Sequence, residues 1–132
     1  MKLITRDTDY SIRALVYMAK RNKKVISVSE LVEKLKIPRP FLRKILQIMH
    51  KNAILNSYKG SGGGFSLLLP ANRIYLMDLI EIFQGKLSLN ECLFKKDICP
   101  NLKRCILRKK ILSIERYILR ELKGVTIASL LR

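Results

Sequence analysis

The side chains of this 132-residue chain best suited to soft-metal or redox chemistry are Cys92, Cys99 and Cys105, which fall within 14 residues while the other 118 contain no cysteine. Thiolates are both nucleophiles and metal ligands. The spacing Cys92-x6-Cys99-x5-Cys105 is wider than the close Cys pairs of a zinc knuckle, and no second pair completes four ligands, so zinc is disfavoured. An odd count in a chain with no secretory signal argues against a disulfide framework. Soft thiolates on an irregular loop suit an iron–sulfur cluster, in which cysteine supplies most ligands and one can be replaced. From these residues alone, a cluster, reactive thiols and incidental cysteines stand side by side.

A second constellation reads nucleic acid. Ser27 followed by Glu30 is a capping box opening a short helix over 28–36, which Ile37 and Pro38 break. Pro40 suits the first turn of a new helix, and Leu42, Ile45, Leu46 and Met49 give that helix an apolar stripe to about Asn52. Two short helices joined by a tight turn form a helix-turn-helix. The polar face of the second is Arg39, Arg43, Lys44, Gln47, His50 and Lys51. Arginine takes guanine O6 and N7 bidentately and glutamine takes adenine N6 and N7, so Arg43 and Gln47, one turn apart, are the base-reading candidates. Arg39 and Lys44 are assigned to phosphates, and Ser29, Pro40 and Lys51 complete the DNA-facing set. His50 reads as a surface residue near a helix end.

The β-prone runs 54–59 and 65–69 flank five residues, Gly60-Ser61-Gly62-Gly63-Gly64, and read as a hairpin with a glycine-rich tip. After a helix-turn-helix this is a wing, with Lys59, Gly60 and Ser61 placed to meet phosphate or the minor groove. The glycines match neither GxxxxGK[ST] nor GxGxxG, because Phe65 occupies the last position of the latter.

These elements sit in a strongly basic chain: 27 Lys and Arg against 10 Asp and Glu give +17, with 48% apolar residues. One small domain with a normal core is implied, and the charge points to a polyanion, nucleic acid before anionic lipid. Residues 1–60 carry +10, 61–90 are neutral, and 91–132 carry +7. A single histidine, few carboxylates and no nucleophile–base–orienter pattern argue against an enzyme. An RNA-associated basic protein fits the charge but leaves the cysteines unexplained. No apolar run approaches bilayer length and Lys2, Arg6, Asp7 and Asp9 charge the first residues, so a cytoplasmic protein with no membrane partner is expected.

The supporting elements follow from periodicity. Ile12, Leu15, Val16 and Ala19 mark a helix over 8–20, and Asp78 to Phe83 a short core helix stopped by Gly85. A long helix over 107–123 carries Leu107, Ile111, Ile114, Ile118 and Leu122 at spacings of 4, 3, 4 and 4, close to a coiled-coil seam, with Ile106, Leu112 and Leu119 off it. So wide an apolar girdle implies a homodimer. Thr126 is placed to cap a last short turn. The expected architecture is mainly α: a winged helix-turn-helix over 1–85 with a small β-hairpin wing, a cysteine-containing sensor loop over 86–106, and a C-terminal dimerisation helix and tail over 107–132, all one compact unit.

Nearly the whole chain resembles the IscR/NsrR/CymR family of bacterial winged-helix regulators, also called the Rrf-two family. The resemblance rests on Thr8-Asp9-Tyr10-Ser11-Ile12-Arg13-Ala14-Leu15, on Ile37-Pro38 leading into Phe41-Leu42-Arg43-Lys44-Ile45-Leu46, on Ser57-Tyr58-Lys59-Gly60-Ser61-Gly62-Gly63-Gly64-Phe65, and on three cysteines before a long helix. It implies a homodimeric repressor or activator binding a double-stranded operator, with Cys92, Cys99 and Cys105 ligating an iron–sulfur cluster of two or four irons that reports redox state, nitric oxide or iron–sulfur status. A cluster-free regulator using reactive cysteines or zinc is the alternative. Two positions after the last cysteine, where the IscR-like branch has a ligating histidine, this chain has Leu107, and the first cysteine spacing is one residue longer than in the best-known members. The NsrR-like branch takes its fourth ligand from an aspartate of the partner subunit, at a position matched by Asp9. A helix cap or helix-dipole role for Asp9, and Glu91 or an external ligand in its place, are the competing assignments.

Overall fold

The computed structural model describes residues 2–21, 24–89 and 105–131. Cys92, Cys99 and Glu91 lie outside the described residues. Helix α1 (Arg6–Lys20) begins two residues before the periodicity predicts, because Thr5 caps it by accepting from the Thr8 N–H. Helix α2 (Val28–Leu35) is capped by Ser27, whose hydroxyl accepts from the Glu30 N–H at 3.1 Å. It ends at Lys36, which takes a left-handed conformation (φ 58°) that turns the chain into buried Ile37. Helix α3 (Arg39–Lys51) then starts with Pro40 in its first turn, as expected. Its stripe Leu42, Ile45, Leu46 and Met49 is fully buried, each side chain contributing about 1.5–3 kcal/mol, and packs with Leu15 and Leu31 into one core.

Strands β1 (Leu55–Tyr58) and β2 (Gly64–Leu67) pair antiparallel, with Leu55 opposite Leu67 and Tyr58 opposite Gly64. The hairpin is shorter than its β-prone runs, since Lys59 to Gly63 form the turn. Ile26 adds a bridge on the outer edge of β2: its N–H donates to the Phe65 carbonyl at 2.8 Å and its carbonyl accepts from the Phe65 N–H at 2.9 Å. This pairing leaves no room for a side chain at Gly64, where a Cβ would collide with the Ile26 carbonyl.

A 3-10 turn (Ala71–Arg73) leads into α4 (Leu76–Gln84), which stops at Gly85 (φ 80°) as the sequence indicates. Helix α5 (Ile106–Lys123) buries no residue fully. Its seam is uncovered in the isolated chain: Leu107 is 59% and Ile114 45% exposed, while Ile111, Ile118 and Leu122 are half-buried. The off-seam residues Leu112 and Leu119 face α4 and line a groove of about 540 Å³ with Met77 and Leu87. After α5 the chain returns to the core, where Leu76 donates to the Val125 carbonyl, Ile127 to the Ile74 carbonyl, and the Ile127 side chain is fully buried. The final 3-10 turn (Ala128–Leu130) has Ile127 as its N-cap, and Thr126, one residue earlier than a cap, still accepts from the Ser129 N–H at 3.2 Å. Among the described residues no helix is long and apolar enough to cross a membrane. The fold is a winged helix-turn-helix with a long C-terminal helix.

Gly64→Ala forces both a backbone collision and a strained φ of 152°, whereas Gly62→Ala, at φ 75° with open space around it, meets only the strain. Urea unfolding is expected to show a loss of about 1–2 kcal/mol for Gly62→Ala and a clearly larger one for Gly64→Ala. Equal losses would show that the Ile26–Phe65 tie is not rigid.

Candidate nucleic-acid interface

One cleft of about 490 Å³ collects the start of α2, the exposed face of α3 and the wing. Ser27, Val28 and Ser29 form one wall, Arg43 and Gln47 the floor, and Ser57, Tyr58, Lys59, Gly60 and Gly63 the other wall. Five residues assigned to DNA from the sequence, Ser29, Arg43, Gln47, Lys59 and Gly60, therefore share one surface. Arg43 and Gln47 are exposed and, among the described residues, hold no hydrogen bond or ion pair, which leaves their polar ends open to the cleft. Arg39 stands at the mouth of the helix-turn-helix, its Nη2 donating to Ser29 Oγ at 3.1 Å. That bond joins the first turn of α3 to the first turn of α2.

The remaining assigned residues are placed differently. Pro40 and Lys51 are exposed at opposite ends of α3, and Ser61 at the tip of the wing. Lys44 turns toward α1, its Nζ 3.4 Å from Asp7 Oδ2. Beside that pair, the Arg6 guanidinium stacks 4.4 Å from the centroid of the Phe41 ring, a second link between α1 and α3. Sequence reasoning did not single out Ser57 and Tyr58 as part of the cleft. Tyr58 entered the sequence reading in a β-prone run and in the stretch that carries the family resemblance, with no role of its own, yet its position opposite Gly64 puts it on the wing wall, where its hydroxyl accepts from Ser66 Oγ at 3.4 Å. His50 is a helix-end residue, as expected, with Nδ1 3.1 Å from the Leu55 carbonyl oxygen.

Another cluster stiffens the back of the helix-turn-helix. The Tyr17 hydroxyl donates to Glu30 Oε2 at 2.7 Å, and Arg21 lies 3.6 Å from the same oxygen. The bond to Glu30 raises the Tyr17 phenol above its ordinary value, because ionising it would both break that bond and set a second negative charge beside the carboxylate. The Glu30 carboxylate, expected to reach back toward its helix cap, is thus also the anchor that ties α2 to α1.

Cys105 is a half-buried free thiol and the N-cap of α5, its Sγ accepting from the Arg108 N–H at 3.4 Å. Asp9 does not cap α1, a role that Thr5 fills; its carboxylate pairs with Arg13 at 3.0 Å on the partly exposed face of the helix. Among the described residues no group of three or more His, Cys, Asp or Glu side chains is gathered to hold a metal ion.

Comparison with known proteins places this geometry. A family model described as Rrf2, Iron-dependent Transcriptional regulator, matches residues 4–132. A protein of Aquifex aeolicus named as an HTH-type transcriptional regulator is 33% identical over 92% of this chain and 86% of its own length. Protein aau3 of Rhizobium meliloti is 28% identical over 98% of this chain and 84% of its own. Among solved structures, CymR, the global cysteine regulator of B. subtilis, superposes with a TM-score of 0.79 at 19% identity, covering 98% of this chain and 96% of that one. T. potens IscR superposes with a TM-score of 0.75 at 18% identity, covering 98% and 85%. The family match over almost the whole chain, the Aquifex relative and the shared winged-helix fold agree, and the chain belongs to the Rrf2 family of transcriptional regulators.

Proposed function

We propose that this Rrf2-family regulator, which is not an enzyme, is a cytoplasmic homodimer that reads a double-stranded operator through Arg43 and Gln47 and adjusts its operator affinity through Cys92, Cys99 and Cys105. The observation that carries the reading is the single cleft in which α3 and the wing meet. Arg43 and Gln47 specify bases, Lys59 holds the backbone at the wing, and Arg39, oriented by Ser29, holds a phosphate. Ser29, Pro40, Lys51, Gly60 and Ser61 border these contacts. Lys44 adds a phosphate contact only on leaving Asp7, with which it pairs at 3.4 Å.

The half-exposed seam Leu107, Ile111, Ile114, Ile118 and Leu122 supports the homodimer, because a second copy of the same face covers it. A dimer presents two α3 helices to successive major grooves, as an operator with two half-sites requires.

The donor set fits an iron–sulfur cluster: three soft thiolates, of which Cys105 is held at the start of α5 with a backbone N–H directed at its sulfur, the kind of bond that tunes cluster ligands. The family description as iron-dependent supports the same reading. When bound, the cluster supplies a redox-active centre open to oxidants and nitric oxide. Cys92, Cys99 and Cys105 hold it, and Asp9 of the partner subunit is the candidate oxygen ligand. A cluster-free thiol regulator is the second reading, favoured by the structural likeness to Staphylococcus aureus CymR, which has also been solved in an oxidised form (TM-score 0.72 at 21% identity).

Three sets of variants test this proposal. Arg43→Ala is expected to cost about 1–3 kcal/mol on the preferred duplex and relax one base position, while Lys59→Ala weakens all duplexes alike and lowers the salt slope by about 1; equal losses on preferred and random DNA for Arg43→Ala would end the base-reading assignment. Ile114→Asp is expected to dissociate or unfold the dimer by burying an unpaired carboxylate, and a wild-type monomer at micromolar concentration in sedimentation would remove the seam. Anaerobic reconstitution with iron and sulfide is expected to give a coloured protein with acid-labile sulfide. Cys92→Ala, Cys99→Ala and Cys105→Ala should lose that chromophore, and Asp9→Ala should retain an altered, more labile one. An unchanged cluster in Asp9→Ala moves the fourth ligand elsewhere, and a colourless wild type that carries zinc or only thiols selects the second reading.

A further inference from the structure

The last residue of α4 makes a three-point clasp on the start of α1. Gln84 Oε1 accepts from the Thr5 N–H at 3.1 Å and from the Thr8 hydroxyl at 2.7 Å, and Gln84 Nε2 donates to the Leu3 carbonyl at 3.0 Å. The partners lie 76 to 81 positions away in sequence. Thr8 is fully buried, and its hydroxyl is also 3.1 Å from that of Thr5, so the Oε1 end of the Gln84 carboxamide is held at the buried side and the Nε2 end at the exposed side.

That first turn of α1 also bears on the recognition helix. Asp7 pairs with Lys44, Arg6 stacks on Phe41, and α1 packs along both α4 and α3. On its other side, Gln84 is followed by Gly85, in a left-handed conformation, and Cys92 comes eight positions after Gln84. Gln84 therefore ties the end of α4, from which the chain runs on toward the cysteines, to the first turn of the helix that packs on α3.

We infer that Gln84 is a positioning residue for operator recognition, the clasp through which the state of the cysteine-bearing segment sets the placement of α3. A displacement of the end of α4 by about the length of a hydrogen-bond misfit breaks the short Thr8 bond, and α1, as a rigid 15-residue helix, carries the change to α3. Gln84 touches no DNA-facing residue. Its substitution thus leaves the cleft of α3 and the wing chemically intact.

The inference rests on control of operator affinity by the cysteines, and a double-mutant cycle separates the two. The probe is the duplex that the wild-type protein selects from a random-sequence pool, titrated with iron–sulfide-reconstituted protein under anaerobic conditions. With Gln84 present, Cys99→Ser is expected to change the Kd by about 10-fold, within the usual range of allosteric coupling. In the Gln84→Ala background the same change is expected to fall below about twofold, with affinity for random duplex retained. Gln84→Glu keeps both accepted bonds but sets a carboxylate oxygen against the Leu3 carbonyl, so it should restore only part of the effect, and urea unfolding of each variant separates a loss of coupling from a loss of stability. Thr8→Val, which removes the shortest bond and keeps the shape, is the second variant should Gln84→Ala not fold, and it is expected to reduce the Cys99→Ser effect in the same direction. An undiminished Cys99→Ser effect in Gln84→Ala or in Thr8→Val overturns the clasp and leaves cysteine control standing. A Cys99→Ser protein that binds like wild type with Gln84 intact overturns cysteine control, and the clasp with it.

Discussion

The two backbone hydrogen bonds between Ile26 and Phe65, at 2.8 and 2.9 Å, join the loop before α2 to the second strand of the wing. An isolated two-stranded hairpin is marginal in water. Here β2 gains a pairing on its outer edge, and Ile26 and Phe65 are both buried in the common core. The wing is thereby held in a fixed orientation to α2 and α3, and Lys59 faces the same cleft as Arg43 and Gln47. Gly64 is the steric condition for that approach, because a side chain would occupy the space of the Ile26 carbonyl. Ser29 and Arg39 close the same arrangement from the other side, across the turn of the helix-turn-helix.

Charge explains attraction to a polyanion, while packing decides where each cation points. Exposed ion pairs such as Lys44–Asp7 contribute only about 0–1 kcal/mol, so that pair does not set the angle between α1 and α3. Their shared burial of Leu15, Ile45 and Met49 does. What the pair does is select an orientation for one long side chain, turning Lys44 toward α1. The chain thus divides its cations into those tied to a structural partner, Arg13, Arg21 and Lys44, and those left to the cleft, Arg43 and Lys59. The net +17 favours a polyanion in a salt-dependent way, and the second group lies together in the cleft.

Elements dictated by local chemistry were readable from the chain. Ser27 as a cap, Pro40 in a first turn, Gly85 as a stop and the stripe Leu42, Ile45, Leu46 and Met49 each follow from constraints within one helical turn. The placing of Arg43 beside Gln47 was readable for the same reason, since they lie one turn apart on a face opposite that stripe, and both line the cleft. What escaped were contacts between residues distant in sequence: Phe41 under Arg6, Asp7 on Lys44, Tyr17 on Glu30, and Gln84 on Thr5 and Thr8. No period or motif marks such partners, because each half has an ordinary local role. Asp9 shows the converse. Its cap role was plausible by position, yet Thr5 lies at the true helix start and leaves Asp9 to Arg13.

Helix α5 shows how two apolar faces on one helix divide their work. Leu112 and Leu119 turn toward α4, whereas Leu107 and Ile114 stay exposed in the isolated chain. A helix that only completed its own domain would need the first face alone. The second adds surface whose burial is favourable by roughly 25 cal/mol per Å², and among the described residues Leu107 and Ile114 are left without cover. The chain after α5 then returns to bury Ile127 beside Ile74, just ahead of α4. The seam-bearing helix is therefore anchored at its C-terminal end to the domain that reads DNA, and it begins at Cys105. Any force applied at that cysteine acts on a helix fixed at its far end and resting on α4, the same helix whose last residue clasps α1.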